Sequence, residues 1–598
     1  MKRKILVLLM AALLAVTGAF SMVGCKAKDN VSSDEKTLNV KIKNTGYGTD
    51  YIYAIAEQFE KTFAEEGYKV NVLPPDTALS ETKILQTVYT QKGGDGIDIF
   101  FSGMDCSKGV EGVGTYGQCL ADLTENVYKK EPIKFDKTTE STTVEEKIEG
   151  MDFEGATEYA GKYYGVPYAI AFGGLAVNNR VLQSFKDKDG KPLQLPKTTN
   201  QMFECAQIIM NSATGATSVK PFTYSTSGNN YPISTVNPWL AQYEGLERFN
   251  QFWSFEDQNG PMIDGEDTTR CAEVFAFEGV EKVFEVVFEM YDYNMGAQGV
   301  QSQSFTAAQG QLMKGDAAFY SVGSFMLNEE FVRWNSKVKD VTFIKAPMIS
   351  SLGPKMFGEN TDYKLTDAQC EEALIIIIDG ADANKTAEEI KPTLDATFAK
   401  DFNVADIQRV CEARGYVKNS SSNGAYLNEK SNKKELAYTF LRFIASEDAG
   451  KLIAENTRTP SPFAVNCFSN SELPYLKSLD EITSNRYYKM ITAESSGYRA
   501  EMGVNSMFHS YAGQYFANKV LEWRVSIYED DGYAYKQKIN IPRGDIKLAL
   551  PEGTSIGEIN IGGDYAKGKE VYSKCAKVFA DEIYLVAKQN LKEGLWKV

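Results

Sequence analysis

Leu38, Val40 and Ile42 alternate with polar neighbours, the two-residue period of a half-buried strand. Ile52, Ile55, Ala56, Phe59 and Phe63 then recur at helical spacing, with Asp50 placed to cap that helix and Gly67 to end it. Tyr68, Val70 and Val72 alternate again until Pro74-Pro75 stops the strand. A helix over about 79–91 follows. After Gly93-Gly94, the run Ile97-Asp98-Ile99-Phe100-Phe101 suits a strand covered on both faces. Strand, helix, strand, helix, strand predicts a parallel sheet wrapped by helices. Ligands would sit at the carboxyl ends of its strands, around 44–49, 74–77 and 102–105.

A second α/β region begins near Tyr168. Leu175 to Val177 suits a strand, and Thr198 with Gln201 has capping-box spacing for a helix through Met210. Val283, Phe284, Val287 and Phe288 line one side of a helix over 280–291. The apolar run Ala373 to Ile378 reads as a short buried strand. It is far below the ~20 residues of a membrane span.

With 598 residues, the chain is too long for one hydrophobic core, so two or more lobes are expected. A net charge of −16 argues against binding a nucleic-acid backbone, which needs a basic face. The start carries an address. Lys2, Arg3 and Lys4 precede an uncharged apolar run over 5–20, and then comes Met22-Val23-Gly24-Cys25. This order reads as an export signal over 1–24 ending in a lipobox, with Cys25 the lipidated first residue of the mature protein. Residues 25–36 form a polar tether. The expected location is the extracytoplasmic face of the cell membrane, held by acyl chains. Eight further cysteines show no C-x-x-C pair. Disulfides and buried free thiols are both compatible with them, and Cys106 and Cys119 lie closest in sequence.

Four blocks, in order, carry a family resemblance. The first is Gly96-Ile97-Asp98-Ile99-Phe100-Phe101 with Leu120-Ala121-Asp122-Leu123-Thr124. The second is Tyr163-Tyr164-Gly165-Val166-Pro167-Tyr168, running on to Leu175-Ala176-Val177-Asn178-Asn179. The third spans 305–325 and contains Lys314-Gly315-Asp316-Ala317-Ala318-Phe319 and Gly323-Ser324-Phe325. The fourth spans 432–462, where Asn432 and Glu435 have capping-box spacing, Leu436, Phe440, Phe443 and Ile444 make an apolar helix face, and Ser446 can cap the next helix. Together they resemble the extracellular solute-binding proteins of ABC transporters, the carbohydrate-type group that includes maltodextrin-binding protein. Residues 380–431 exceed that pattern, the match fades beyond 463, and 539–560 has no place on it.

The resemblance implies an α/β fold of two lobes, each a sheet flanked by helices, joined by several crossing strands. The crossings are expected at 166–171, 372–374 and 460–463. The first lobe would then take 37–168 with 374–461, and the second 169–373 with 462–598. It also implies a solute held in the cleft and delivered to membrane permease subunits by a monomer without cofactor or catalysis.

Sugar rings stack their C–H faces on aromatic rings and use carboxylates, amides and Arg for their hydroxyls. Trp239 in Asn237-Pro238-Trp239 is a candidate stacking ring, as are Tyr47 after the first strand and Tyr168 and Phe172 at the first crossing. By resemblance, Phe325 takes the place of a stacking aromatic, Ser102 and Asp105 follow the third strand where ligand side chains belong, and His509 lies in a late aromatic-bearing helix. His509 is the only histidine, so a histidine metal cluster is excluded, and there is no P-loop or dinucleotide fingerprint. Polyamines and ferric ion are alternative solutes. A surface glycosidase, with two facing carboxylates, is the alternative of another class.

Overall fold

A computed structural model of the chain describes residues 31–491 except 76–80, 91–95, 103–118, 149–157, 160, 213–218, 224–232, 259, 263–268 and 293–303. It also describes the paired strands Val525–Asp530 and Tyr535–Ile541 and single positions between 573 and 592. Cys25, Asp105, Cys106, His509 and most of 539–560 lie outside the described residues.

The first lobe opens as its periodicity predicts. Strand β1 (Thr37–Ile42) pairs in parallel with β2 (Lys69–Val72) and with β3 (Ile99–Ser102). Helices α1 (Asp50–Thr62) and α2 (Glu81–Thr90) connect them. Helix α1 is capped differently from the expectation: Thr49 is the N-cap without a side-chain bond, and Asp50 sits in the first turn, where it meets the helix dipole.

Strand β4 (Gly165–Asn178) is buried along its whole length. Its residues 165–172 pair with 419–426, and 173–178 pair with 319–323 and 341–344. Between them come α3 (Thr199–Ser212), β5 (Lys220–Thr223), α4 (Ile233–Glu244), α5 (Glu278–Asp292), α6 (Phe305–Lys314), β6 (Ala317–Gly323), α7 (Met326–Trp334) and β7 (Val341–Ile344). Gly315 ends α6 with φ +87°, a left-handed cap that Gly adopts without strain.

The run Ala373 to Ile378 is helix, not strand. It lies in α8 (Asp367–Asp382), opened by a reciprocal capping box between Thr366 and Gln369. Cys370, Ala373, Leu374, Ile377, Ile378 and Ala381 are buried at three- and four-residue spacing, with Gly380 buried beside them. Helices α9 (Ala387–Phe398) and α10 (Val404–Gly415) follow. The second crossing is therefore not at 372–374. It is β8 (Tyr416–Leu427), which pairs with β9 (Lys489–Ile491) at one end and β3 at the other.

The last elements are α11 (Lys434–Ile444), α12 (Glu447–Thr457) and α13 (Pro474–Thr483). Leu436, Phe440, Phe443 and Ile444 are buried as the helix pattern requires, and Ser446 caps α12 by accepting from the Ala449 N–H. The Asn432–Glu435 capping box does not form; Lys433 is the N-cap and makes no side-chain cap bond.

The nine-stranded sheet runs β2-β1-β3-β8-β4-β6-β5, with β7 also on β4 and β9 on β8. Its apolar side chains divide into two lobes. Leu38, Ile52, Phe59, Phe101, Val166, Ala425, Phe440 and Phe443 share one core. Val177, Phe222, Trp239, Phe284, Leu374 and Cys411 share another, while Phe172, Tyr320, Phe343 and Tyr475 cover the opposite face of the second lobe. Residues of α8 and α10 thus pack in the second lobe, although 374–461 was expected in the first. Cys119, Cys205, Cys370, Cys411 and Cys467 are free thiols. Among the described residues no helix is long and apolar enough to cross a membrane.

Candidate functional site

Three of the expected site residues meet where the lobes touch. Tyr47 lies in the turn after β1, Tyr168 on the first-lobe half of β4, and Phe325 between β6 and α7. The Tyr47 ring is edge-on to Tyr168 at 6.4 Å and to Phe325 at 6.3 Å between centroids. Tyr168 stacks on Tyr51 at 5.0 Å, and Phe101 leans on it at 5.3 Å. Edge and offset contacts of this kind hold rings in fixed orientations. The Tyr168 hydroxyl stands 3.5 Å from Asn423 Oδ1 on β8, and burial raises its phenol well above the ordinary value.

Backbone geometry sets Phe325 in place. The Ser324 N–H donates to the Phe172 carbonyl at 2.9 Å, and the Phe172 N–H donates to Ser324 Oγ at 3.2 Å. This two-bond clasp ties the residue before Phe325 to the crossing strand. Tyr47 and Tyr168 are buried, while Phe325 keeps part of its surface open.

Polar contacts cross the same junction. Asn328 Nδ2 donates to the Gly46 carbonyl at 2.8 Å, and Arg458 Nη1 donates to Asn328 Oδ1 at 2.8 Å. The Arg458 guanidinium lies over Phe331, 3.9 Å from its centroid. Glu329 accepts from Gln309 Nε2 at 2.6 Å, and burial pushes its carboxyl up to about 7. None of Asn328, Glu329, Arg458 and Asn423 was singled out from sequence. The available signal for Arg458 was a basic residue just before Thr459-Pro460, where a crossing was expected.

The other expected residues are elsewhere. Trp239 is 0 % exposed inside the second-lobe core, and its Nε1 donates to the Pro347 carbonyl at 2.9 Å. Phe172 is buried between Phe343, edge-on at 5.7 Å, and Tyr488 at 6.1 Å. Ser102 is buried at the end of β3, paired with Gly424. A separate cavity of about 370 Å³ lies wholly among second-lobe residues, with Thr199, Asn200, Phe203, Glu285, Glu289 and Glu371 in its walls. It shares no residue with the aromatic junction.

Residues 54–465 match the profile of the bacterial extracellular solute-binding proteins. The chain belongs to that family. This solute-binding protein is also similar in structure to a chitin oligosaccharide binding protein, at 13 % identity and a TM-score of 0.45, covering 79 % of this chain and 93 % of that one. A receptor of Streptomyces glaucescens, solved unliganded and with acarbose, gives 13 % identity and 0.46, covering 80 % and 92 %. The maltose-maltodextrin binding protein of Alicyclobacillus acidocaldarius gives 12 % and 0.44, covering 81 % and 98 %. No curated protein matches the chain in sequence.

Proposed function

We propose that this solute-binding protein captures a carbohydrate, specifically an oligosaccharide, between its lobes. It then hands the sugar unchanged to the permease subunits of an ABC transporter. Acyl chains on Cys25 hold it at the outer face of the membrane. The observation that carries the reading is the convergence of Tyr47, Tyr168 and Phe325 on the junction of the lobes. The open part of the Phe325 ring would take the C–H face of a sugar ring, with the buried Tyr47 and Tyr168 rings fixing its place, and the Asn328 amide would exchange its bond to Gly46 for the sugar's hydroxyls as the lobes part. One chain supplies both walls, so a monomer suffices.

A polyamine would call for firmly charged carboxylates among the rings. Glu329, the carboxylate placed beside them, is instead shifted toward its neutral form. Solute contacts made by both lobes would favour the closed arrangement by their difference in affinity for the two states.

Thermal-shift screening against a glycan panel, with chromatography of the glycans afterwards, tests the proposal. A sugar at a hundred times its Kd should stabilise the protein by about 2.7 kcal/mol and be recovered intact. Shortened products, or a panel with no stabilising glycan, would overturn it.

A further inference from the structure

Glu329 occupies an unusual position for a carboxylate. It stands on α7 of the second lobe and faces the Gly46 backbone of the first. A Cβ placed on Gly46 would lie 2.8 Å from Glu329 Oε1 and 3.3 Å from Phe325 Cδ2. The two lobes therefore meet closely here: a methyl group on Gly46 would have to displace the end of the Glu329 side chain and press on the Phe325 ring. The next residue on the helix, Asn328, donates to the Gly46 carbonyl and is itself held by Arg458. Opening the lobes would draw the Gly46 backbone away from the carboxylate and break the Asn328 bond in the same movement.

Among the described residues, the groups around Glu329 supply no matching positive charge. From α6 it receives the neutral amide of Gln309. From its own helix the neighbour is Glu330, a second acid whose partner is Arg333 at 3.4 Å. From α13 it is Tyr475, whose hydroxyl donates to the Ser324 carbonyl and whose phenol is raised by burial and then by Glu329 itself. Arg458, at the end of α12, is turned to Asn328 and Phe331, with Asp50 nearby. An ionised Glu329 is thus enclosed by an amide, an acid, a phenol and a backbone carbonyl region, and a neutral one is not penalised.

We propose that Glu329 and Gly46 form a proton-controlled clasp between the lobes, closed when Glu329 is neutral and loosened when it ionises. This reading needs no solute, so its failure and the failure of the carbohydrate reading are separate results. The sign follows from linkage. In this closed arrangement Glu329 titrates at about 7, and whatever water it gains on opening would lower it toward the ordinary 4.5. Between those values the closed form holds more protons, so closure weakens as pH rises from about 4.5 to about 7 and is level beyond. A full return to the ordinary value sets the upper limit, a change on the order of a hundredfold in the closed-to-open ratio.

The test is hydrogen exchange by mass spectrometry on the full chain in detergent, without solute, at pH 5, 6, 7 and 8. Labelling times are scaled to the chemical exchange rate at each pH. The peptides of interest cover 43–49 and 326–331. In the wild type their protection should fall at least tenfold from pH 5 to pH 8. Glu329→Gln should keep the protection of the low-pH form at every pH. Gly46→Ala, whose methyl would meet Glu329 and Phe325, should lack that protection throughout. A flat wild-type profile overturns the proposal even if neither variant folds, and so does a Glu329→Gln profile that falls as the wild type does.

Discussion

Lys433 Nζ stands 3.4 Å from Asp98 Oδ2, with both side chains sealed inside the first lobe. Asp98 also accepts from the Asn39 N–H and from Ser431 Oγ, each at 2.7 Å, and Lys433 donates to the Thr37 carbonyl at 2.7 Å. The pair therefore stitches β1 and β3 to the residues that lead into α11. A buried pair adds little against an apolar substitute, yet removing one partner strands the other. Asp98→Ala should cost about 3–5 kcal/mol in urea unfolding, and the double variant Asp98→Leu with Lys433→Met should cost less than the single one. A single-variant loss under about 1 kcal/mol would contradict this account.

Trp239 offers a second test. Its ring is enclosed by the second-lobe core and its indole N–H is satisfied by Pro347. Trp239→Ala should lower the stability of the unliganded protein by about 3–5 kcal/mol. Melting unchanged from wild type would instead place the ring at a wet wall of the cleft.

Phe325 and Phe172 should behave oppositely, although the clasp at Ser324 joins their backbones. Phe172 is enclosed by Phe343 and Tyr488, so Phe172→Ala should cost about 3–5 kcal/mol of stability. Phe325→Ala should weaken binding of the stabilising glycan about tenfold or more, near 1.4 kcal/mol, with a smaller loss of stability. Calorimetric titration and urea unfolding of both variants decide the matter, and equal affinities for Phe325→Ala and wild type would remove that ring from the site.

The Lys345–Asp382–Arg414 group predicts a pH signature. Arg414 donates to both oxygens of Asp382, at 3.0 Å and 2.8 Å, and Lys345 stands 3.3 Å from the same carboxylate. Burial alone would raise Asp382, but Arg414 and then Lys345 override it and hold the carboxyl well below the usual range. Lys345 is pushed down to about 8 by burial first and by Arg414 second, against the pull of Asp382. From about 8 to 10.5 the unfolded chain binds more protons at Lys345 than the native one does, so this group adds stability as pH rises. Lys345→Met removes that term. Its stability relative to wild type should therefore fall between pH 8 and pH 10 by roughly 2 kcal/mol, read from urea unfolding at each pH. A difference independent of pH would refute it.

The first lobe was largely legible because β1 alternates apolar with polar residues in sequence and the lobe's helices are amphipathic, although β1 is covered on both faces and buries Asn39 and Lys41 as well. Leu38, Val40 and Ile42 alternate, and the buried faces of α1 and α11 repeat as helices do. Ala373 to Ile378 misled because a short run of branched residues has no period of its own. Thr366 and Gln369 held the capping signal that would have decided it. Strand β4 was visible only in pieces, since burial on both faces erases alternation. Tyr47, Tyr168 and Phe325 were legible as candidates and do converge. Trp239 could not be told from them, because a core and a sugar face ask an aromatic ring for the same apolar contact. Asn328 and Glu329 gave no signal at all. Their meaning depends on Gly46, 282 residues from Asn328 along the chain.

Strands β4 and β8 leave one lobe and enter the other side by side, bonded to each other from Gly165–Tyr426 to Phe172–Asn419. Two ribbons laced together flex as one leaf. They resist sliding, because sliding would break the whole ladder, and they resist sideways bending in the plane of the sheet. The bending left to such a pair is perpendicular to that plane, and the register shifts between Asn419 and Ser421 and between Asn423 and Gly424 mark where the lacing is interrupted.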